Sequence, residues 1–145
     1  MRMYEVVEHT ADAGLRIEAP DLNGLFVDAA KGLYSLIIEN PEDIRPLQEV
    51  EIHVDGSQTD YLLFDWLNEL LYRFDSERLL LAEFSLDVDG RGLHVRARGE
   101  TFDPARHRAA HEVKAITYHE PNAYFIGKAE FDKEQFFRFG ASTRF

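Results

Sequence analysis

The sequence of 145 residues contains no cysteine, which excludes disulfide bonds, zinc sites built on thiolates and a thiol nucleophile. Long hydrophobic runs are also missing. The longest, Leu79–Ala82, is far shorter than the roughly 20 apolar residues that a membrane-spanning helix needs. The chain opens on a strand pattern that includes Glu5 and Glu8, so no secretory signal peptide is expected. We therefore expect a soluble, cytoplasmic protein without a membrane partner.

Basic residues are few: 16 Lys and Arg stand against 27 Asp and Glu, which gives a net charge of −11. Such a field repels phosphate backbones, and nucleic-acid affinity comes largely from neutralising phosphates. Direct binding to RNA or DNA is therefore not expected, and a basic protein surface or a metal ion suits the chain better. The alternative is that the charge serves solubility alone.

Several catalytic motifs are also missing. No glycine-rich segment has the spacing of a phosphate loop or a dinucleotide fingerprint, and no serine lies in a Gly-x-Ser-x-Gly elbow. His107 and His111 are four apart, as in a zinc protease helix, but Arg108 replaces the glutamate base and the context is a polar loop. His53 and His94 alternate out of strands, so we expect both to be surface residues.

The hydrophobic periodicity predicts an α+β fold in a single domain of residues 1–145. Apolar residues at helical spacing follow Asp21, a good N-cap, and a stronger stripe runs from Leu62 to Phe74. The remaining apolar segments alternate with a period of two, typical of strands. We expect a largely antiparallel or mixed β-sheet with two amphipathic helices packed on one face.

One connection carries more chemistry than a turn requires. Glu8–Gly14 crowds Glu, His, Thr and Asp between two strand patterns, Met3–Val7 and Leu15–Ala19. We hypothesise that Asp12 directs an oxygen at a hard cation; the alternative is an Asx-type turn bonded to the local backbone. If the two ends of the chain pair in one sheet, Asp132 could meet Asp12. Two carboxylates suit Ca²⁺, Mg²⁺ or Mn²⁺.

Three blocks of the sequence resemble the archease family. They are Glu8-His9-Thr10-Ala11-Asp12-Ala13-Gly14, Leu62-Leu63-Phe64-Asp65-Trp66-Leu67-Asn68-Glu69-Leu70-Leu71 and Val113-Lys114-Ala115-Ile116-Thr117-Tyr118-His119. The resemblance covers roughly residues 3–120. It implies a small acidic activator of an RtcB-type tRNA ligase in tRNA splicing, without turnover of its own. Such an activator promotes guanylylation of the ligase's active-site histidine and restores the ligase between turnovers.

By the same resemblance, Asp12 matches the family's metal-binding aspartate and Lys114 matches a lysine needed for activation. The family's other metal ligands are an aspartate and an aliphatic residue that end the chain. Asp132 looks like that aspartate, but Lys133 follows it, and residues 133–145 form an atypical C-terminal extension. The implied ligands are thus Asp12, Asp132 and the backbone of Lys133, with Ca²⁺ favoured over Mg²⁺ and Mn²⁺.

Two other functions stay open at this stage. A metal-dependent hydrolase would use Asp12, His9 and Asp132, although few titratable residues converge in the sequence. A chaperone-like binding module would expose the aromatic cluster of Phe136, Phe137 and Phe139, which more often packs on the core or on a dimer partner. The oligomeric state is open as well.

Overall fold

Two helices and eight strands make up the described part of the chain, which in this computed structural model comprises residues 4–8, 12–17, 19–117, 123–128 and 132–144. For 4–8, 12–16, 123–128, 132–144 and positions 60, 114, 115 and 117, only the backbone is described. In chain order the elements are β1 (Tyr4–Glu8), β2 (Asp12–Ile17), α1 (Leu22–Ile37), a 3₁₀ turn (Pro41–Asp43), β3 (Gln48–Asp55), α2 (Thr59–Glu77), β4 (Leu79–Asp89), β5 (Gly92–Thr101), β6 (Glu112–Thr117), β7 (Ala123–Lys128) and β8 (Asp132–Arg144).

Both helices form where the periodicity predicts them. The Asp21 carboxylate accepts a hydrogen bond of 2.6 Å from the Gly24 N–H, which confirms its role as the N-cap of α1. The predicted stripe of α2 is buried throughout, and the Trp66 side chain donates a hydrogen bond of 3.0 Å to the carbonyl of Phe26 on α1. This bond ties the two helices together inside the core.

The strands divide into two antiparallel sheets where the sequence suggested one. β3, β5 and β4 form a three-stranded sheet in that order, and the order β1-β2-β8-β6 forms the second sheet, in which β7 also pairs with β8. Both helices contact strands of both sheets, and the buried apolar side chains that the structure describes form one core cluster. The α+β fold is confirmed, and β2 pairs with β8, so the condition that the two ends of the chain pair in one sheet is met. No described helix is long and apolar enough to cross a membrane.

The period of two that predicts strands in the remaining apolar segments does not hold along β6. Simple alternation assigns Val113 and Ile116 to opposite faces of the strand, but both are buried in the core. The pairing of β6 with β8 shifts by one residue between Val113 and Ala115, which is a β-bulge. Because the bulge inserts one extra residue, the inward phase changes from odd to even positions.

Candidate functional site

Asp12 is the first residue of β2, directly after the connection from β1. Its backbone pairs with Ser142 of β8, and the next residue, Ala13, pairs with Glu8 of β1. Residues 9–11, which include His9, lie outside the described residues. The polar stretch of the sequence is therefore followed by a strand that starts at one end of the five-stranded sheet.

Lys114 is the extra residue of the bulge in β6. Val113 pairs with Thr143 and Ala115 pairs with Ser142, so no residue of β8 is left opposite Lys114. A bulge bends its strand and re-aims the side chain it carries, and bulges are frequent beside functional sites. No pattern in the sequence indicates this bulge, because the segment alternates like a regular strand.

A single row of the sheet links these two residues. Asp12, Ser142 and Ala115 are register partners across β2, β8 and β6. Neighbouring strands lie about 4.8 Å apart, so the backbones of Asp12 and Ala115 are about 10 Å apart. Lys114 precedes Ala115 directly. The fold thus brings together the backbones of two residues that are far apart in the sequence.

Asp132 occupies the other end of β8. It begins the strand and pairs with Lys128 of β7, ten residues before Ser142. An extended strand rises about 3.3 Å per residue, so the backbone of Asp132 is about 30 Å from the position opposite Asp12. One cation bound by Asp12 together with Asp132 or the Lys133 carbonyl does not fit this register. The reason is that residues 137–142 of the extension, rather than Asp132, pair with β2.

No metal cluster replaces that site elsewhere in the part of the chain whose side chains are described. There, no group of three or more His, Asp or Glu side chains is arranged to hold an ion. Negative charge does border β6. Burial raises the pKa of Asp75 on α2, nearby Arg78 opposes the rise, and Glu112, the first residue of β6, adds to it. Asp75 and Glu112 are therefore close enough to repel each other, and Glu112 lies two residues before Lys114.

A buried ionic cluster organises the segment that precedes β6. The carboxylate of Glu100 accepts hydrogen bonds of 2.7 and 2.8 Å from Arg106 and one of 2.7 Å from the backbone N–H of Arg45. Its Oε2 also accepts a hydrogen bond of 3.0 Å from His107 Nε2. Burial alone raises the pKa of Glu100, but these hydrogen bonds outweigh burial and lower the pKa to about 2. The carboxylate is therefore ionised and acts as the anchor of the cluster.

His107 is a structural residue. Its Nδ1 accepts a hydrogen bond of 2.9 Å from the backbone N–H of Asp103, which assigns the proton to Nε2 and directs it at Glu100. Both ring nitrogens of His107 therefore have hydrogen-bond partners. Simple alternation predicts an exposed Glu100, because this residue continues the outward phase of His94 and Arg98. Glu100 is nevertheless buried, beneath the chain segments that carry Arg45 and Arg106.

The same segment is attached to the end of α1. The N–H groups of Ala110 and His111 donate to the carbonyls of Ile37 and Leu36 at 2.9 and 3.0 Å, and the Glu39 N–H donates to the Arg108 carbonyl at 2.7 Å. Since β6 starts at residue 112, the cluster and these bonds fix the direction in which the strand carrying Lys114 leaves the core.

Comparison with known proteins gives one family. Residues 4–123 match the Archease protein family (MTH1598/TM1083). The protein archease of Methanopyrus kandleri is 42% identical over 120 residues, covering 80% of this chain and 85% of that protein. The protein archease of Sulfurisphaera tokodaii is 36% identical over 122 residues, covering 83% and 87%.

Two solved structures have a similar fold. The solution structure of Methanobacterium thermoautotrophicum protein 1598 has a TM-score of 0.75 at 26% identity and covers 98% of this chain and 99% of that one. The crystal structure from Thermotoga maritima, described as an archease and possible chaperone, has a TM-score of 0.60 at 21% identity and covers 94% of each chain. At that identity the second comparison concerns the fold alone.

Proposed function

Because the chain belongs to the Archease protein family, we propose that it is a non-catalytic activator of an RtcB-type tRNA ligase in tRNA splicing. It acts in the cytoplasm on the ligase itself, promoting its guanylylation and its return to the active state between turnovers. One observation carries the proposal: the row of Asp12, Ser142 and Ala115 brings Asp12 close to Lys114, and these residues match the family's metal-binding aspartate and its activation lysine.

The charge of the chain supports a protein partner. A net charge of −11 disfavours contact with RNA phosphates and favours the basic RNA-binding surface of a ligase. Opposite charge across an interface accelerates association and fixes orientation, and salt screens it. We therefore expect the complex with the ligase to form faster at low ionic strength. We also expect that the acidic protein does not bind free RNA.

Asp12 and Lys114 have complementary roles in this proposal. The carboxylate of Asp12 interacts with a cationic group or a hard cation at the ligase, and the ammonium of Lys114 reaches a phosphate or a partner carboxylate. A divalent cation, Ca²⁺ before Mg²⁺ or Mn²⁺, would offset phosphate charge. Because the β8 register does not bring Asp132 or Lys133 to Asp12, no step of the proposal depends on a cation bound by all three.

The test is single-turnover guanylylation of the cognate ligase with and without this protein. Asp12→Asn and Lys114→Met are expected to lower the stimulation by about tenfold or more, equivalent to roughly 1.4 kcal/mol. The matched controls are Asp65→Asn and Lys31→Met, which change exposed residues of α2 and α1. Normal stimulation by correctly folded Asp12→Asn and Lys114→Met proteins would refute the proposal.

Two further assays separate the alternatives. Turnover of phosphoester or nucleotide substrates by the isolated protein would favour the hydrolase. Suppression of client aggregation in the absence of any ligase would favour the chaperone-like module, whose Phe136, Phe137 and Phe139 all lie on β8. An activator of the ligase shows neither activity. Repeating the guanylylation assay across Mg²⁺, Mn²⁺ and Ca²⁺ identifies the ion that supports stimulation.

A further inference from the structure

Two histidines face each other on the outer surface of the three-stranded sheet. His53 on β3 and His94 on β5 are register partners, and their Nδ1 atoms are 3.0 Å apart. The side chains of His53 and His94 are 50% and 55% exposed. Neither residue belongs to the candidate site around Asp12 and Lys114, which lies in the other sheet.

Carboxylates lie behind both rings. Asp55 Oδ1 is 2.6 Å from His53 Nε2, and Asp89 Oδ2 is 3.8 Å from His94 Nε2. A hydrogen bond from the Arg91 N–H lowers the pKa of Asp89 and keeps this carboxylate ionised. Metal-bound imidazoles almost always donate their second ring N–H to such a carboxylate, which fixes the tautomer and leaves the other nitrogen as a ligand. His53 Nε2 is hydrogen-bonded to Asp55, so its Nδ1 faces the Nδ1 of His94 as an acceptor, and a metal ion would replace the proton between these two nitrogens.

The distance between the two Nδ1 atoms is close to the one that a metal chelate requires. With metal–nitrogen distances of about 2.0–2.1 Å, a tetrahedral angle requires nitrogens about 3.3 Å apart, and 3.0 Å corresponds to an angle of about 94°. A rotation that moves either exposed ring outward by a few tenths of an ångström would widen the separation of the two nitrogens to about 3.3 Å. Without a metal, two neutral rings at 3.0 Å oppose each other's lone pairs unless a proton lies between them.

Room for additional ligands exists around the pair. The histidines line an open surface depression of about 630 Å³ together with Glu51, Asp87 and Arg96. Among residues with described side chains, no third His, Asp or Glu completes the set. Water would therefore occupy the remaining coordination positions. Arg96 is engaged by Glu51 at 3.4 Å, which reduces its repulsion of an ion.

We propose that His53 and His94 form a two-histidine binding site for a divalent transition-metal ion such as Zn²⁺, Ni²⁺ or Cu²⁺. Imidazole nitrogen selects these ions over Ca²⁺ and Mg²⁺, which prefer oxygen ligands. Among Zn²⁺, Ni²⁺ and Cu²⁺, the affinity for a nitrogen site is highest for Cu²⁺. The site is independent of ligase activation, since it uses other residues, another sheet and another class of ion.

Titration calorimetry of the untagged protein with ZnCl₂, CuSO₄ and CaCl₂ tests the proposal. Cu²⁺ and Zn²⁺ are expected to bind one ion per chain, with Cu²⁺ tighter, and both His53→Gln and His94→Gln are expected to weaken binding by about tenfold or more. Asp65→Asn on α2 serves as the control that retains Zn²⁺ affinity. Unchanged Zn²⁺ affinity in both His53→Gln and His94→Gln would overturn the proposal.

Ring nitrogen resonances of the wild-type protein give a second measurement that does not depend on variants. Zn²⁺ is expected to shift the Nδ1 signals of His53 and His94 and to leave those of the buried His107 unchanged. Unchanged Nδ1 signals at millimolar Zn²⁺ would mean that the pair only shares a proton, and would refute the site.

Discussion

The substitution Glu100→Gln tests whether the buried ionic cluster stabilises the fold. The wild-type carboxylate accepts six hydrogen bonds, from Arg45, Arg106 and His107. Glutamine keeps the size but loses the charge, and its amide N–H group faces donors. Removing one partner of a fully buried ion pair costs about 3–5 kcal/mol. The Arg45 and Arg106 side chains are 54% and 30% exposed, so water recovers part of that cost.

We therefore expect Glu100→Gln to lower the free energy of unfolding by about 2–3 kcal/mol at pH 7. For a chain of this size the melting temperature should fall by about 5–10 °C. Thermal and urea unfolding, followed by circular dichroism, measure both quantities. The matched control is Glu51→Gln, because Glu51 is 75% exposed and its ion pair with Arg96 is 3.4 Å long. This control should change stability by less than about 0.5 kcal/mol.

The pH dependence of the free energy of unfolding tests whether the Glu100 charge stabilises the fold. In the folded protein the pKa of Glu100 is about 2, below its ordinary value of 4.5, so the charge stabilises the fold fully above about pH 4.5. That contribution is lost as the pH falls toward 2. The stability difference between the wild type and Glu100→Gln should therefore shrink across this interval. Our reasoning is wrong if the difference at pH 2.5 equals that at pH 7, or if Glu100→Gln is as stable as Glu51→Gln.

Two other predictions concern close packing and capping. Gly99→Ala should destabilise the three-stranded sheet by several kcal/mol, because its new Cβ would lie 1.8 Å from the Leu80 carbonyl oxygen. The control Gly90→Ala places its Cβ with no atom within 4 Å, so its stability should be nearly unchanged in the same thermal unfolding assay. Asp21→Ala should cost about 1 kcal/mol by removing the cap on the Gly24 N–H, and Asp21→Asn, which retains an accepting oxygen, should restore most of that loss in urea unfolding. Equal stability of the two glycine variants, or an unchanged urea midpoint for Asp21→Ala, would contradict these expectations.

The ionic cluster also explains how Lys114 depends on distant residues. The backbone bonds between residues 108–111 and the end of α1, together with the Glu100 contacts, fix the start of β6. The bulge follows within two residues. A lysine on a bulge keeps its position only if the strand on both sides of the bulge is held, by the core at Val113 and by the pairing with β8 beyond it.

Local patterns in the sequence sufficed for the helices and for most strands. The α2 stripe from Leu62 to Phe74 and the Asp21 cap require only spacings of a few residues, and both are found as predicted. The outward positions of His53 and His94 follow from simple alternation in the same way. Such features could be predicted because helix and strand geometry repeat over short distances, independently of what packs against them.

The α+β class, the acidic charge and the motif residues Asp12 and Lys114 could be predicted from the amino-acid sequence alone. Three features became evident from the folded chain: Lys114 lies on a bulge, Glu100 is buried, and Ser142 rather than Asp132 lies opposite Asp12. Each of these three depends on contacts between segments far apart in the chain. A register, a bulge and a buried charge are set by the partner strand or loop, and no spacing within one segment encodes them.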